Sequence, residues 1–337
     1  MSANNLMLGT VMAACAGMST QGVTAPVSGS TNVTPVETVD ALNGVFGKQT
    51  HGRAIHAKGV MLEGTFSASP SAHSVSRAPH FSGASIPVTV RFSDFAGIPT
   101  ISDTNGLASP RGMAIKFHLK GGSDTDIVAH SVNAFPSPTT SDFRDLMVAI
   151  GHSPPGTPSP TPAEIYLGGH PAAKAFFDNL TPPPVSYATL AYYGVNSFEF
   201  TSKKGGTRFG RYQIVPEAGV HLLPGSEVSA ADPNYLRAEI GKRLQSGPAT
   251  FVLEVQLAEA GDVIANPSIS WPTSRPMVKL GVITITRVLP DSEAQEQKLM
   301  FTPAAVVDGV RAADPMVLDR NAAYGVSYGR RHSAGQE

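Results

Sequence analysis

The stretch DRNAAYGVSYGRR, Asp319 to Arg331, lies close to the end of the chain and sets Arg320, Tyr324 and Arg331 at intervals of four and seven residues. In a helix those intervals place all three side chains on one face, turn above turn. A solvated helix face ordinarily mixes charge signs, whereas here a phenol stands between two guanidinium groups. Such company suits a phenol that has to lose its proton, because a nearby positive charge favours the anionic form. A tyrosine merely packed in a helix would account for neither arginine.

A second constellation, HGRAIHAKG from His51 to Gly59, sets Arg53 and His56 three residues apart. Alone it would read as a surface loop with a satisfied histidine. It is followed by VRFSDFAG, in which Arg91 and Ser93 share one face of a strand, since alternate residues point the same way. PRGMAIKF and DIVAHSVNAFP come next. Isolated arginines are commonly surface ion pairs, so the weight lies in the ordered series.

Strand patterns surround these motifs. PVTVRFS, GMAIKFHLKGG and DIVAHSV are separated by Gly- and Asp-bearing turns, and TRFGRYQIV, ATFVLEVQLA and MVKLGVITITRV follow later. The last alternates Val278, Leu280, Val282 and Ile283 with a slip near Gly281 that reads as a bulge. Helical periods run through ETVDALNGVFG, SDFRDLMVAI, HPAAKAFFDNL, DPNYLRAEIGKRLQ and DPMVLDRNAAYGVSYGRR. In the second of these Phe143, Leu146, Met147 and Ile150 form a stripe, with Ser141 as the expected N-cap. Asp232 and Pro233 open the fourth, and Asp-Pro opens the last. SPPGTPSPTPAE and LTPPPVSY read as surface connections, and no internal repeat is found. The expected fold is α+β: an antiparallel β-barrel with inserted and C-terminal helices, one domain over residues 37–337 behind a tail of residues 1–36.

Composition agrees. Apolar residues make up 41% of the 337, enough for a sizeable core, and 33 glycines with 28 prolines favour a loop-rich β architecture over a helical bundle. A formal charge of −1 without a basic run argues against nucleic acid as partner. The single Cys15 excludes an intramolecular disulfide and a Cys-based metal site. It lies in MSANNLMLGTVMAACAGMSTQG, whose short apolar run and MAAC segment resemble an export signal with a lipoprotein cleavage box, although no Lys or Arg precedes the run. The expectation is a periplasmic or otherwise extracytoplasmic protein, with a plain N-terminal tail on a cytoplasmic protein as the alternative. No other run is long enough to span a bilayer.

Taken in order, RAIHAKG, VRFSDFAG, SPRGMAIKF and RNAAY resemble the haem catalase superfamily from about Leu42 to Arg331, and the small catalase-related peroxidases more closely still. The resemblance implies haem b with ferric iron, bound by Tyr324 as axial phenolate and supported by Arg320. It implies that Arg53, Arg91 and Arg331 meet the propionates. His56 would be the distal base that moves the peroxide proton, with Ser93 orienting its ring. Asn133 is taken as the distal amide that positions peroxide. The family pattern Asn-Asn-Thr-Pro is replaced here by AHSVNAFP, so Ser131 is the ungapped alternative. Phe135 or Phe143 would stack near the haem edge, or serve only as core.

Against the large catalases, the long N-terminal arm, the C-terminal helical domain and the NADPH-binding segment are missing from the pattern. A more accessible haem is expected, favouring peroxide reduction by a small organic electron donor over dismutation. Two alternatives stand beside this reading: an enzyme acting on fatty-acid hydroperoxides, and a haem-binding barrel without turnover. The latter would have no need of His56, Ser93 or an asparagine.

Overall fold

The computed structural model describes residues 33–333, so the export reading at Cys15 lies outside the described residues. Eight strands follow in chain order: β1 (Gly59–Ala68), β2 (Ile86–Ser93), β3 (Gly112–His118), β4 (Asp124–His130), β5 (Tyr192–Thr201), β6 (Thr207–Pro216), β7 (Ala249–Leu257) and β8 (Met277–Val288). Each pairs antiparallel with the next, and β8 returns to β1, closing a barrel. β4 and β5 meet at His130–Tyr193, and a short β9 (Val310–Ala312) adds to β5.

Alternation decides what the barrel holds and what it shows. Val88, Val90 and Phe92 of β2, Met113, Ile115 and Phe117 of β3, and Ile127 and Ala129 of β4 belong to the apolar core that the barrel encloses. The residues between them point outward. On a bare sheet that face would be solvated, but here a helical layer covers it.

The layer comprises α1 (Pro35–Phe46), α2 (Thr140–Gly151), α3 (Pro162–Gly169) and α4 (Pro171–Asp178), together with the C-terminal helix. After α5 (Tyr235–Ser246) and the short α6 (Ser292–Lys298), that helix is α7 (Met316–Ser333). Val39, Leu42, Phe46, Phe143, Met147 and Ala323 form a second apolar cluster within the layer. α1 starts in a capping box, with Glu37 N–H donating to Thr34 Oγ1 at 3.2 Å and Thr34 N–H to Glu37 Oε2 at 2.8 Å.

Two local expectations need correction. The N-cap of α2 is Thr139, whose extended backbone lets Oγ1 accept from Asp142 N–H at 3.1 Å, while Ser141 already lies inside the helix. α5 starts at Tyr235, two residues beyond Pro233, with Asp232 instead accepting from Asn234 N–H at 2.7 Å. The bulge near Gly281 is present: Leu253 pairs with Gly281 but Glu254 with Lys279, leaving Leu280 extra. Among the described residues no helix is long and apolar enough to cross a membrane.

Candidate active site

The site is written into the outward face of β2–β4. Ser93 pairs with Gly112 and Gly112 with His130, so these three form one row across the sheet. Arg91, Ala114 and Val128 form the next row. All six border one cavity between the barrel wall and the helical layer.

His56 reaches this cavity from the loop before β1. Its φ of 56° lies in the left-handed region, uncommon for a residue with a side chain. The conformation is held by His56 N–H donating to the Phe95 carbonyl at 2.7 Å and Ala57 N–H to the Ala96 carbonyl at 3.0 Å. Lys58 anchors the loop further, donating to the Asp103 carboxylate and, at 2.8 Å, to the Ile101 carbonyl. The imidazole Nδ1 lies 3.0 Å from Ser93 Oγ, and Phe95 packs edge-on at 5.6 Å. With Nδ1–H donating to Ser93, Nε2 keeps its lone pair. Burial above all, then the charges of Arg91, His130 and Arg320, push the imidazole down to about 3. It is therefore a neutral base at any ordinary pH.

Gly112 makes room for that ring. A Cβ there would stand 2.9 Å from His56 Nδ1 and 2.6 Å from Ser93 Oγ, closer than packed atoms allow. Gly112→Ala is expected to tilt the imidazole while leaving the arginines and Tyr324 in place. Displacements of this order in a reacting group cost roughly 10- to 100-fold in rate. The check is peroxide turnover per bound haem, together with haem content; unchanged turnover would mean that the ring position is not critical.

The other pole of the cavity is Tyr324 on α7. Arg320, one turn earlier, donates from Nη2 to the phenol oxygen at 2.9 Å. Its Nη1 donates to Asn196 Oδ1 on β5, and Asn196 Nδ2 donates to Asp314 Oδ2 at 2.7 Å. Asp314 uses its second oxygen to accept from Met316 N–H at 3.0 Å, at the start of α7. One carboxylate thus fixes both the helix end and the line Asn196–Arg320–Tyr324. A guanidinium so aimed sets a positive charge directly against the phenol oxygen. Phe135 lies 5.5 Å beneath the same guanidinium and 5.1 Å from Phe143, so both phenylalanines sit at the cavity as well as in packing.

Arg53, Arg91 and Arg331 converge at one end of the cavity, joined by an acid that the sequence did not suggest. Glu296 of α6 accepts from Arg53 Nη1 at 3.1 Å and from Arg91 Nη2 at 2.7 Å. Arg331 donates to the Leu299 carbonyl at 2.8 Å. Burial pushes Arg53 well below its usual value, with Arg91 and Arg331 adding to the shift, and burial brings Arg331 down to about 10. Among the described residues three guanidiniums thus share one carboxylate, and their remaining N–H groups meet backbone carbonyls, so the cluster keeps a net positive charge.

Asn133 is not brought to the cavity: it does not border it, and its carbonyl accepts from Ser270 Oγ instead. Ser131 is also turned away, accepting from Arg111 N–H at 3.0 Å. The polar side chain that β4 does deliver is His130. Strand phase carried that signal, because Ile127 and Ala129 must face the barrel core, leaving Val128 and His130 outside with Arg91 and Ser93.

A family model described as catalase matches residues 13–336. The chain belongs to the catalase family. It is 37% identical over 294 residues to a catalase-related peroxidase of Mycolicibacterium paratuberculosis, covering 86% of this chain and 91% of that one. It is 33% identical over 324 residues to a catalase-related peroxidase of Synechococcus elongatus, covering 95% and 94%. A fungal catalase structure superposes with a TM-score of 0.75 at 20% identity, covering 94% of this chain and 66% of that chain, which bears on the fold.

Family membership brings haem as cofactor and peroxide as substrate. The donor set suits that group. Among the described residues no cluster of three or more His, Cys, Asp or Glu side chains could hold a bare metal ion. A single tyrosine oxygen with a cation beside it, and excess arginine charge at one end, fit a metal carried by an organic ligand with anionic arms.

Proposed function

We propose that the protein is a haem-dependent peroxidase that reduces hydrogen peroxide or organic peroxides with a small organic electron donor, using ferric haem b. The observation that carries this reading is the neutral His56, fixed by Ser93, in the same cavity as the Arg320–Tyr324 pair. A carrier would need only the tyrosine side.

When bound, haem supplies the metal centre that receives peroxide and passes on the donor's electrons. Tyr324 would hold it as phenolate, with Arg320 keeping that oxygen charged. Arg53, Arg91 and Arg331 would receive the propionates. His56 Nε2 takes the proton from one peroxide oxygen and returns it to the departing oxygen, so the leaving group goes as water or alcohol and not as an anion. Ser93 keeps the ring from rotating between the two transfers. With two electrons and two protons from the donor side, ROOH becomes ROH and water.

A second cavity of about 480 Å³ supports the choice of donor over dismutation. Phe95, which packs on His56, borders both cavities. Leu107, Met147, Ile150 and Phe177 give the second an apolar lining, and the Pro-rich segment Ser153–Glu164 forms much of its rim. Of LTPPPVSY only Leu180 borders it. A space of that size and polarity admits an aromatic donor or the organic part of a hydroperoxide.

The test is oxygen evolution measured beside oxidation of a chromogenic donor, with donor concentration varied. Donor oxidation is expected to take over as donor rises. Oxygen evolution that dominates at saturating donor would overturn the peroxidase reading. The apolar cavity also favours fatty-acid hydroperoxides as a second reading; their conversion without donor consumption would mark isomerisation.

A further inference from the structure

His130 sits where the barrel closes, paired with Tyr193, and its ring borders the cavity that holds His56. It is buried, at 8% exposure. Val132 N–H donates to its Nδ1 at 3.4 Å. Long as that bond is, it assigns the lone pair to Nδ1 and the proton to Nε2. The Nε2 atom has no hydrogen-bond partner. Its aromatic neighbours, Phe135 at 6.4 Å and Phe176 edge-on at 6.1 Å, offer no acceptor. Burial, with Arg320 as the second cause, pushes the ring down to about 3, so it is neutral.

Buried donors are nearly always satisfied in folded proteins, and an orphan beside a ligand cavity calls for an acceptor on the ligand. His56 presents the complementary state, a free lone pair on Nε2. A hydroperoxide offers the matching pair on adjacent atoms: one O–H to give and oxygen lone pairs to receive. We propose that His130 is a further catalytic residue, donating from Nε2–H to a peroxide oxygen while His56 accepts the peroxide proton. The inference rests on the peroxidase reading above. His130 keeps its proton throughout; it orients and polarises the substrate, the task that the sequence reading gave to an amide.

Fluoride is the probe, because it binds haem iron as a small acceptor and responds to a donor without turnover. Haem-loaded wild type, His130→Ala and His130→Asn are titrated with sodium fluoride, and peroxide turnover is measured alongside. His130→Ala is expected to weaken fluoride binding roughly 10- to 100-fold, as for loss of a hydrogen bond to a charged acceptor. His130→Asn, which keeps a donor, should recover most of it. Should the alanine variant fail to take up haem, His130→Leu against His130→Asn makes the same comparison with the site filled. Equal fluoride affinity in the apolar and amide variants overturns the role. His56→Ala run beside them distinguishes loss of the peroxidase reaction from loss of the His130 contribution alone. If it too leaves peroxide turnover intact, the peroxidase reading itself falls; if turnover is lost there but every His130 variant matches wild type, only this inference falls.

Discussion

Tyr324→Phe yields a protein that folds but no longer holds haem as the wild type does. The substitution deletes one oxygen, and that oxygen is both the proposed iron ligand and the acceptor for Arg320 Nη2 at 2.9 Å. No other tyrosine replaces it: Tyr328, on the same helix, is committed to the Lys298 carbonyl at 3.2 Å. The haem-free protein should register the change as well. Arg320 keeps its bond to Asn196 but loses one acceptor, and an unmade bond of this kind costs about 1–3 kcal/mol. The double variant Tyr324→Phe/Arg320→Leu should recover neither haem nor full stability, because it leaves the buried Asn196 Oδ1 without its donor. Haem stoichiometry, the Soret and charge-transfer bands, and thermal unfolding of the haem-free proteins are the measurements. An unchanged spectrum at full stoichiometry in Tyr324→Phe would remove Tyr324 from the iron.

The barrel was legible where strands alternate cleanly and hidden where they do not. β2, β3, β4, β6, β7 and β8 correspond to the stretches read as strands. β1 was missed because Val60, Met61 and Leu62 are buried consecutively and Gly64 then interrupts the pattern. Met61 is buried on the outward face because α6 covers it, with Ser292 Oγ accepting from its N–H at 2.8 Å. β5 was missed because its register breaks between Gly194 and Phe198, and Asn196 and Ser197 within that break are buried polar residues. Their burial has a reason only in three dimensions: Asn196 serves Arg320, and Ser197 Oγ accepts from Arg211 Nε at 3.0 Å.

The site followed the same division. His56, Ser93, Arg53, Arg91, Arg320, Tyr324 and Arg331 lie in motifs whose order carried the resemblance, and the fold brings all of them to one cavity. Glu296 lies where no motif speaks, and His130 lies in AHSVNAFP, where the chain departs from the family pattern. Glu296 acts across more than two hundred residues of chain, on Arg53 and Arg91, a pairing that no local pattern encodes. His130 ends β4, three residues before the asparagine expected to serve as the distal amide. What placed it was the two-residue period of β4, a physical signal more dependable there than the motif.

His56→Ala is expected to keep haem and lose peroxide cleavage. The imidazole touches neither Tyr324 nor the arginine cluster through its side chain, so cofactor retention should survive. A positioned acid–base group contributes roughly 100- to 10,000-fold, and the loss should reach that range because the next imidazole, His130, presents a proton where a lone pair is needed. The pH dependence tests the same assignment. A base held at about 3 stays neutral as the medium is acidified, so the wild-type rate of peroxide consumption should be flat down to about pH 5. An ordinary histidine would lose activity tenfold per unit below about 6.5. Stability runs the other way. Between about 6.5 and 3 only the unfolded chain binds a proton at this residue, so its contribution to folding is lost progressively as pH falls through that window. The slope is at most about 1.4 kcal/mol per pH unit, and His56→Ala removes it. The variant should therefore gain on the wild type in acid while staying inactive at every pH. Peroxide consumed by His56→Ala at wild-type speed, or a wild-type rate that falls away below pH 6.5, would show that the proton is carried elsewhere.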